Sequence, residues 1–203
     1  MMPKALVSQS EQEPSAQEAL HTPRRYRFTP EQFHLLGKLG IFHDNTRYEL
    51  IEGDIYQMPP IGPEHGNTVD LISHLFIRQE QPEQYFVRVQ NALRLGGSEP
   101  LPDIAIVRGK PGDYGQQHPT HALLIVEVAD TSLEYDRTEK RRLYAKHGIP
   151  EYWIVNLQDR ILEVYREPVG EDYTVQLRYT LGETVAPLFK ADWQIPVRSL
   201  FEG

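Results

Sequence analysis

The chain has 203 residues, 39% hydrophobic and 25% charged, which suits one domain with a sizeable core and excludes a wholly disordered polymer. A net charge of -8 excludes bulk attraction to nucleic acid and leaves such binding to a local basic patch. With 0 cysteines there are no disulfides, thiolate zinc sites or cysteine nucleophiles, which fits a reducing compartment.

Residues 1–24 are rich in Ser, Gln, Glu and Pro and lack periodicity, so a mobile leader is expected there, with one domain over 25–203. Met1 to Arg25 has no apolar core long enough for a secretory signal, and no later apolar run reaches the roughly 20 residues of a membrane helix. A cytoplasmic location with no membrane contact is the expectation. Thr29-Pro30-Glu31 predicts a short helix, with Thr29 as N-cap and Phe33, Leu35, Leu36 and Leu39 as its apolar stripe. Tyr48 to Tyr56 predicts a hairpin turning at Glu52-Gly53, with Glu49 and Ile51 on one face. Glu49 can point inward there or pair at the surface. A proline-rich loop, Pro59 to Pro63, leads into a helix over about Glu64–Glu80, with His65 in its first turn. A histidine in that position caps or packs, or serves catalysis.

Tyr85–Leu95, Pro102–Val107 and Ala122–Val128 predict three strands, the last apolar on both faces and therefore central. Thr131 or Ser132 opens a helix running to about His147 and stopping at Gly148. Asp136, Lys140, Leu143 and Tyr144 share one face of it. A strand at Glu151–Val155 follows, then a hairpin of Arg160–Arg166 and Asp172–Thr180 with 167–171 as its loop. The order of elements predicts an α/β fold with a mixed sheet.

Phosphate loops, dinucleotide fingerprints, His-Glu-x-x-His and Gly-x-Ser-x-Gly are absent from the sequence, and the eight histidines show no ligand spacing. His118 and His121 flank Pro119 in a loop and read as solvated. What remains are Asp103 at the mouth of one strand, Glu127 inside another, and Lys140 on the core side of a helix. Buried carboxylates are costly unless paired or bound to a metal. Their oxygens suit Mg²⁺ or Mn²⁺. The same residues also fit a structural ion pair between Glu127 and Lys140, with Asp103 capping a turn.

Taken together, Tyr48-Glu-Leu-Ile-Glu-Gly53, His65, Pro102-Asp-Ile-Ala-Ile106, Leu124-Ile-Val-Glu-Val128, Asp136-x-x-x-Lys140, Tyr144 and Gly148-Ile-Pro-Glu-Tyr-Trp-Ile-Val155 resemble the Uma-type restriction endonuclease family of the PD-(D/E)XK nuclease superfamily. The resemblance covers about residues 25–200. It implies a restriction-endonuclease-like mixed sheet flanked by helices, here with extra N- and C-terminal hairpins. It further implies metal ligation by Asp103 and Glu127, with Glu49 and Lys140 completing the catalytic set and His65 and Asp136 at its margin. The superfamily's usual lysine lies two residues after the glutamate, where this chain has Ala129; the family's helix-borne lysine matches Lys140. The segment Ala129-Asp-Thr-Ser132 also departs from the serine-rich turn of relatives. The implied function is Mg²⁺-dependent hydrolysis of DNA phosphodiesters, with Mn²⁺ as a substitute and a homodimer as a suitable assembly. Two other readings stay open: a nuclease-fold module that binds DNA or a protein without cutting, and a hydrolase of a small phosphoester.

Overall fold

The computed structural model describes residues 23–43, 46–81 and 83–202. The predicted leader therefore lies outside the described residues, apart from Pro23 and Arg24. Helix α1 spans Pro30–Lys38 and begins as its sequence dictates. The Thr29 hydroxyl accepts from the Gln32 amide, and the Gln32 side chain accepts from the Thr29 amide, a reciprocal cap.

Strands β1 (Tyr48–Ile51) and β2 (Asp54–Gln57) form the expected hairpin. Its two turn residues, Glu52 and Gly53, have φ of 48° and 84°. That pair of left-handed residues matches the twist of the flanking strands. Gly53 is also required for space, since a Cβ there would lie 2.6 Å from Arg27 Cβ. Helix α2 (Pro63–Ile77) follows the proline-rich loop and ends three residues before the expected Glu80.

The central sheet has six strands in sequential order: β3 (Tyr85–Val89), β4 (Ile104–Arg108), β5 (Leu124–Ala129), β6 (Glu151–Asn156), β7 (Ile161–Val169) and β8 (Asp172–Tyr179). All neighbours are antiparallel except β5 and β6, which are parallel and joined by a helical crossover. The C-terminal hairpin extends this sheet. Its turn is Gly170-Glu171 rather than the longer loop expected, because Val169 still pairs with Asp172. A small ribbon of β9 (Thr184–Val185) and β10 (Ile195–Pro196) closes the chain.

One sheet face carries Ile104, Ile106, Val126, Val128 and Trp153 against Val69, Ile72 and Phe76 of α2. The other carries Ala105, Val107, Ile125 and Ile154 against Leu143 and Tyr144 of the crossover. Strand β5 is buried at every position, as a doubly covered strand should be. By alternation, Glu127 and Ala129 point into the second layer, toward the crossover helix.

That crossover is less regular than its sequence suggests. Helix α3 (Leu133–Tyr135) passes into a π turn over Asp136–Lys140 and then into α4 (Arg141–Lys146). The Asp136 carbonyl accepts from the Arg141 amide, five residues on, and from the buried Tyr152 hydroxyl at 3.1 Å. A side chain inserted into the hydrogen-bond ladder gives the widened turn its cause.

Candidate active site

Four segments converge on one cleft. Strand β1 brings Glu49, the first turn of α2 brings His65, the β4 entrance brings Asp103, and β5 with the π turn brings Glu127, Asp136 and Lys140. The enclosed space is about 50 Å³. That is room for an ion with a few waters, at roughly 10–15 Å³ each. Every residue singled out from the sequence lines it, although those residues span 91 positions of chain from Glu49 to Lys140.

Asp103 and Glu127 brace one another across β4 and β5. The Asp103 amide donates to Glu127 Oε2 at 3.0 Å, and the Val128 amide donates to Asp103 Oδ2 at 2.9 Å. His65 Nε2 lies 3.1 Å from the same Asp103 oxygen. Gln90 Nε2 donates to Asp103 Oδ1 at 3.3 Å, and Arg47 stands 4.0 Å from that oxygen at the rim. Burial pushes the Asp103 carboxyl up, but His65 and the Val128 amide outweigh it and hold the group below its ordinary value. In return, Asp103 holds His65 above its ordinary value against the opposing effect of burial.

Lys140 is almost fully buried. Its ammonium donates to Glu49 Oε1 at 2.7 Å and to Glu127 Oε1 at 3.1 Å. Burial alone would lower its pKa; Glu127 and Glu49 more than reverse this and keep it charged. Glu127 also accepts from the Tyr144 hydroxyl at 2.7 Å, yet burial and the neighbouring Asp103 and Glu49 raise its pKa. The Leu101 amide donates to Glu49 Oε1 at 2.8 Å. Glu49 Oε2 and His65 Nδ1 are buried with no hydrogen-bond partner among the described residues. Such atoms in an interior normally have a partner.

Four acids thus face one buried ammonium and one histidine. The strain of that imbalance falls on Asp136, whose carboxyl is pushed up to about 8, first by burial and then by the charge of Glu127. This predicts a pH-dependent variant. The folded pKa lies above the ordinary 3.8, so the unfolded chain releases this proton first and stability falls as pH rises from about 4 to about 8. Asp136→Asn removes that loss. Its melting temperature should match wild type near pH 4 and exceed it by several degrees, on the order of 5 °C, near pH 8. An equal effect at both pH values in thermal melts would refute this account.

Sequence reasoning missed Gln90. A strand through Leu95 was expected, but β3 ends at Val89 because Gln90 adopts φ 50°, directing its amide to the Asp103 carbonyl at 3.0 Å. The left-handed turn also brings the Gln90 side chain to Asp103 Oδ1 in the cleft. Nothing in the local pattern signals it. Arg47 was missed as well, being a solitary basic residue before a strand.

The family model Uma2, described as "Putative restriction endonuclease", matches residues 30–198. The chain belongs to the Uma2 family. A crystal structure described as a putative nuclease belonging to DUF820, from Anabaena variabilis, has a TM-score of 0.68 at 18% identity. The match covers 86% of this chain and 97% of that one, and at such identity it speaks for the fold. Functionally curated proteins give no match. Among the described residues, no helix is long and apolar enough to cross a membrane.

Proposed function

We propose that this Uma2 protein is a divalent-metal-dependent DNA endonuclease, hydrolysing phosphodiesters in the cleft of Asp103, Glu127 and Lys140. The observation that carries this reading is the buried excess of carboxylates with Glu49 Oε2 left unpartnered. A structural ion pair alone would need no third and fourth acid. Asp103 and Glu127 would hold Mg²⁺ or Mn²⁺. Both keep spare lone pairs, and two protein carboxylates suit an ion that retains water and takes phosphate oxygens as further ligands. When bound, the ion supplies Lewis-acid stabilisation of the charge that builds on the phosphate.

The chain's own residues do the rest. Lys140, held charged, orients the attacking water and stabilises the phosphoryl oxygens. Glu49 Oε2 is free to accept the proton that water loses as its oxygen bonds to phosphorus and the phosphorus–oxygen bond to the leaving strand breaks. His65 and Gln90 position Asp103, and Arg47 meets a phosphate at the rim.

Purified protein with Mg²⁺ or Mn²⁺ should cut single- or double-stranded DNA and lose this activity in EDTA. No cleavage of either substrate overturns the enzyme. The engagement of Lys140 with Glu49 and Glu127 favours a second reading, a module that binds without cutting. Absence of saturable Mn²⁺ binding by calorimetry, in a protein that still binds DNA, selects that module.

A further inference from the structure

A second group of ligands lies outside the cleft. His34 on α1, Glu99 before β4 and His118 in the loop before β5 each offer one ligand atom, and these atoms lie within 4.8 Å of one another. Among the described residues this is the set of three or more that meets that distance. His118, expected to be solvated, is half-buried, and its ring stands edge-on to His34 with centroids 6.3 Å apart. The three residues are 65 and 19 positions apart in sequence, so no local spacing could reveal them.

We propose that His34, Glu99 and His118 form a binding site for a borderline transition-metal ion of the Zn²⁺ class, distinct from the carboxylate cleft. The donor set decides the ion. Two imidazoles and one carboxylate suit Zn²⁺, Co²⁺ or Ni²⁺, whereas Mg²⁺ prefers oxygens throughout. Glu99 is only 3% exposed, an unusual depth for a carboxylate unless it is engaged. Its Oε2 lies 2.5 Å from His34 Nε2. Ligands about 2 Å from a tetrahedral ion stand a little over 3 Å apart, so a modest separation of these two groups seats the ion.

The other Glu99 oxygen, Oε1, is buried and receives no hydrogen bond among the described residues. Arg94 Nε approaches it to 2.9 Å but lies off the donor direction. Arg94 is itself balanced by Glu31 of α1 at 3.1 Å. Glu31, Arg94 and Glu99 together carry one negative charge, which Arg88, whose charge also reaches His118, offsets; the donor geometry rather than net charge marks the site. The site opens on a cleft of about 590 Å³ that includes Tyr114 and Gln116, leaving the fourth position to water.

The location gives the ion a task. Glu99 exchanges backbone hydrogen bonds with Leu50, and two residues on, the Leu101 amide donates to Glu49. An ion joining α1 and the 115–120 loop to Glu99 would brace the segment 99–103, which bridges to β1 beside Glu49 and carries Asp103. It would act as a structural clamp whose loading supports the cleft from outside.

The test uses the untagged full chain and Co²⁺ or Zn²⁺ alone. Visible absorption should show saturable Co²⁺ binding with imidazole ligation, and Zn²⁺ should raise the melting temperature. His34→Ala and His118→Ala, at exposed and half-buried positions, should weaken binding at least tenfold while circular dichroism stays unchanged. Asp103→Asn should leave the Co²⁺ spectrum intact, which separates this site from the cleft. The proposal is overturned if the wild type binds neither ion saturably, if both histidine variants bind as tightly as wild type, or if Asp103→Asn alone abolishes the spectrum.

Discussion

Asp103→Asn is expected to lower Mg²⁺-dependent DNA cleavage by roughly 10³-fold, the several kcal/mol that a lost metal ligand removes from transition-state stabilisation. The fold should survive. With the asparagine carbonyl at the position of Oδ2, it still accepts from the Val128 amide and still meets His65. The amide nitrogen then faces Gln90, whose own side chain can turn to present its oxygen. The charge is what disappears. Mn²⁺ affinity should fall in calorimetry, and the His65 pKa should drop in NMR titration, because Asp103 is what raises it against burial. Wild-type cleavage by this variant would remove Asp103 from the metal site.

The cleft was legible in sequence where a local rule is broken. Glu127 stands in a strand that is otherwise apolar, and Lys140 stands on the apolar stripe of a helix; each violation is visible from its neighbours alone. Glu49 was ambiguous because alternation in a short hairpin gives a face but not which face is covered. The six-stranded sheet was partly legible. Strand periodicity shows β7 and β8, but the pairing of β7 with β6 depends on packing between Trp153 and Val164 that no local pattern encodes. The π turn, the left-handed Gln90 and the His34–Glu99–His118 group were not legible. Each arises from a long-range contact: Tyr152 into the helix ladder, Asp103 against Gln90, and three distant segments meeting at Glu99.

Lys140→Met is expected to cost about 3–5 kcal/mol of stability, the penalty for leaving buried carboxylates without their cation. For a chain of this size that is a drop in melting temperature on the order of 10 °C. Methionine matches the volume and flexibility of the lysine stem, so packing against the rings of Tyr135 and Tyr144, each 5.9 Å from the ammonium, is largely kept. The loss is electrostatic. Glu127 already has its pKa raised by burial, Asp103 and Glu49, and without Lys140 that push is opposed only by hydrogen bonds such as those from the Tyr144 hydroxyl and the Asp103 amide. A carboxyl with a raised folded pKa is tolerated when protonated, so the defect should shrink as pH falls and grow as pH rises. The double variant Glu127→Gln/Lys140→Met should recover much of the stability, since it removes the charge left stranded. It should recover none of the cleavage. Mn²⁺ should raise the melting temperature of Lys140→Met more than that of wild type, because an ion held by Asp103 and Glu127 supplies the positive charge the lysine gave. Equal Mn²⁺ effects in both proteins would mean that the ion and Lys140 do not share the same carboxylates, and the proposed division of labour in the cleft would fail.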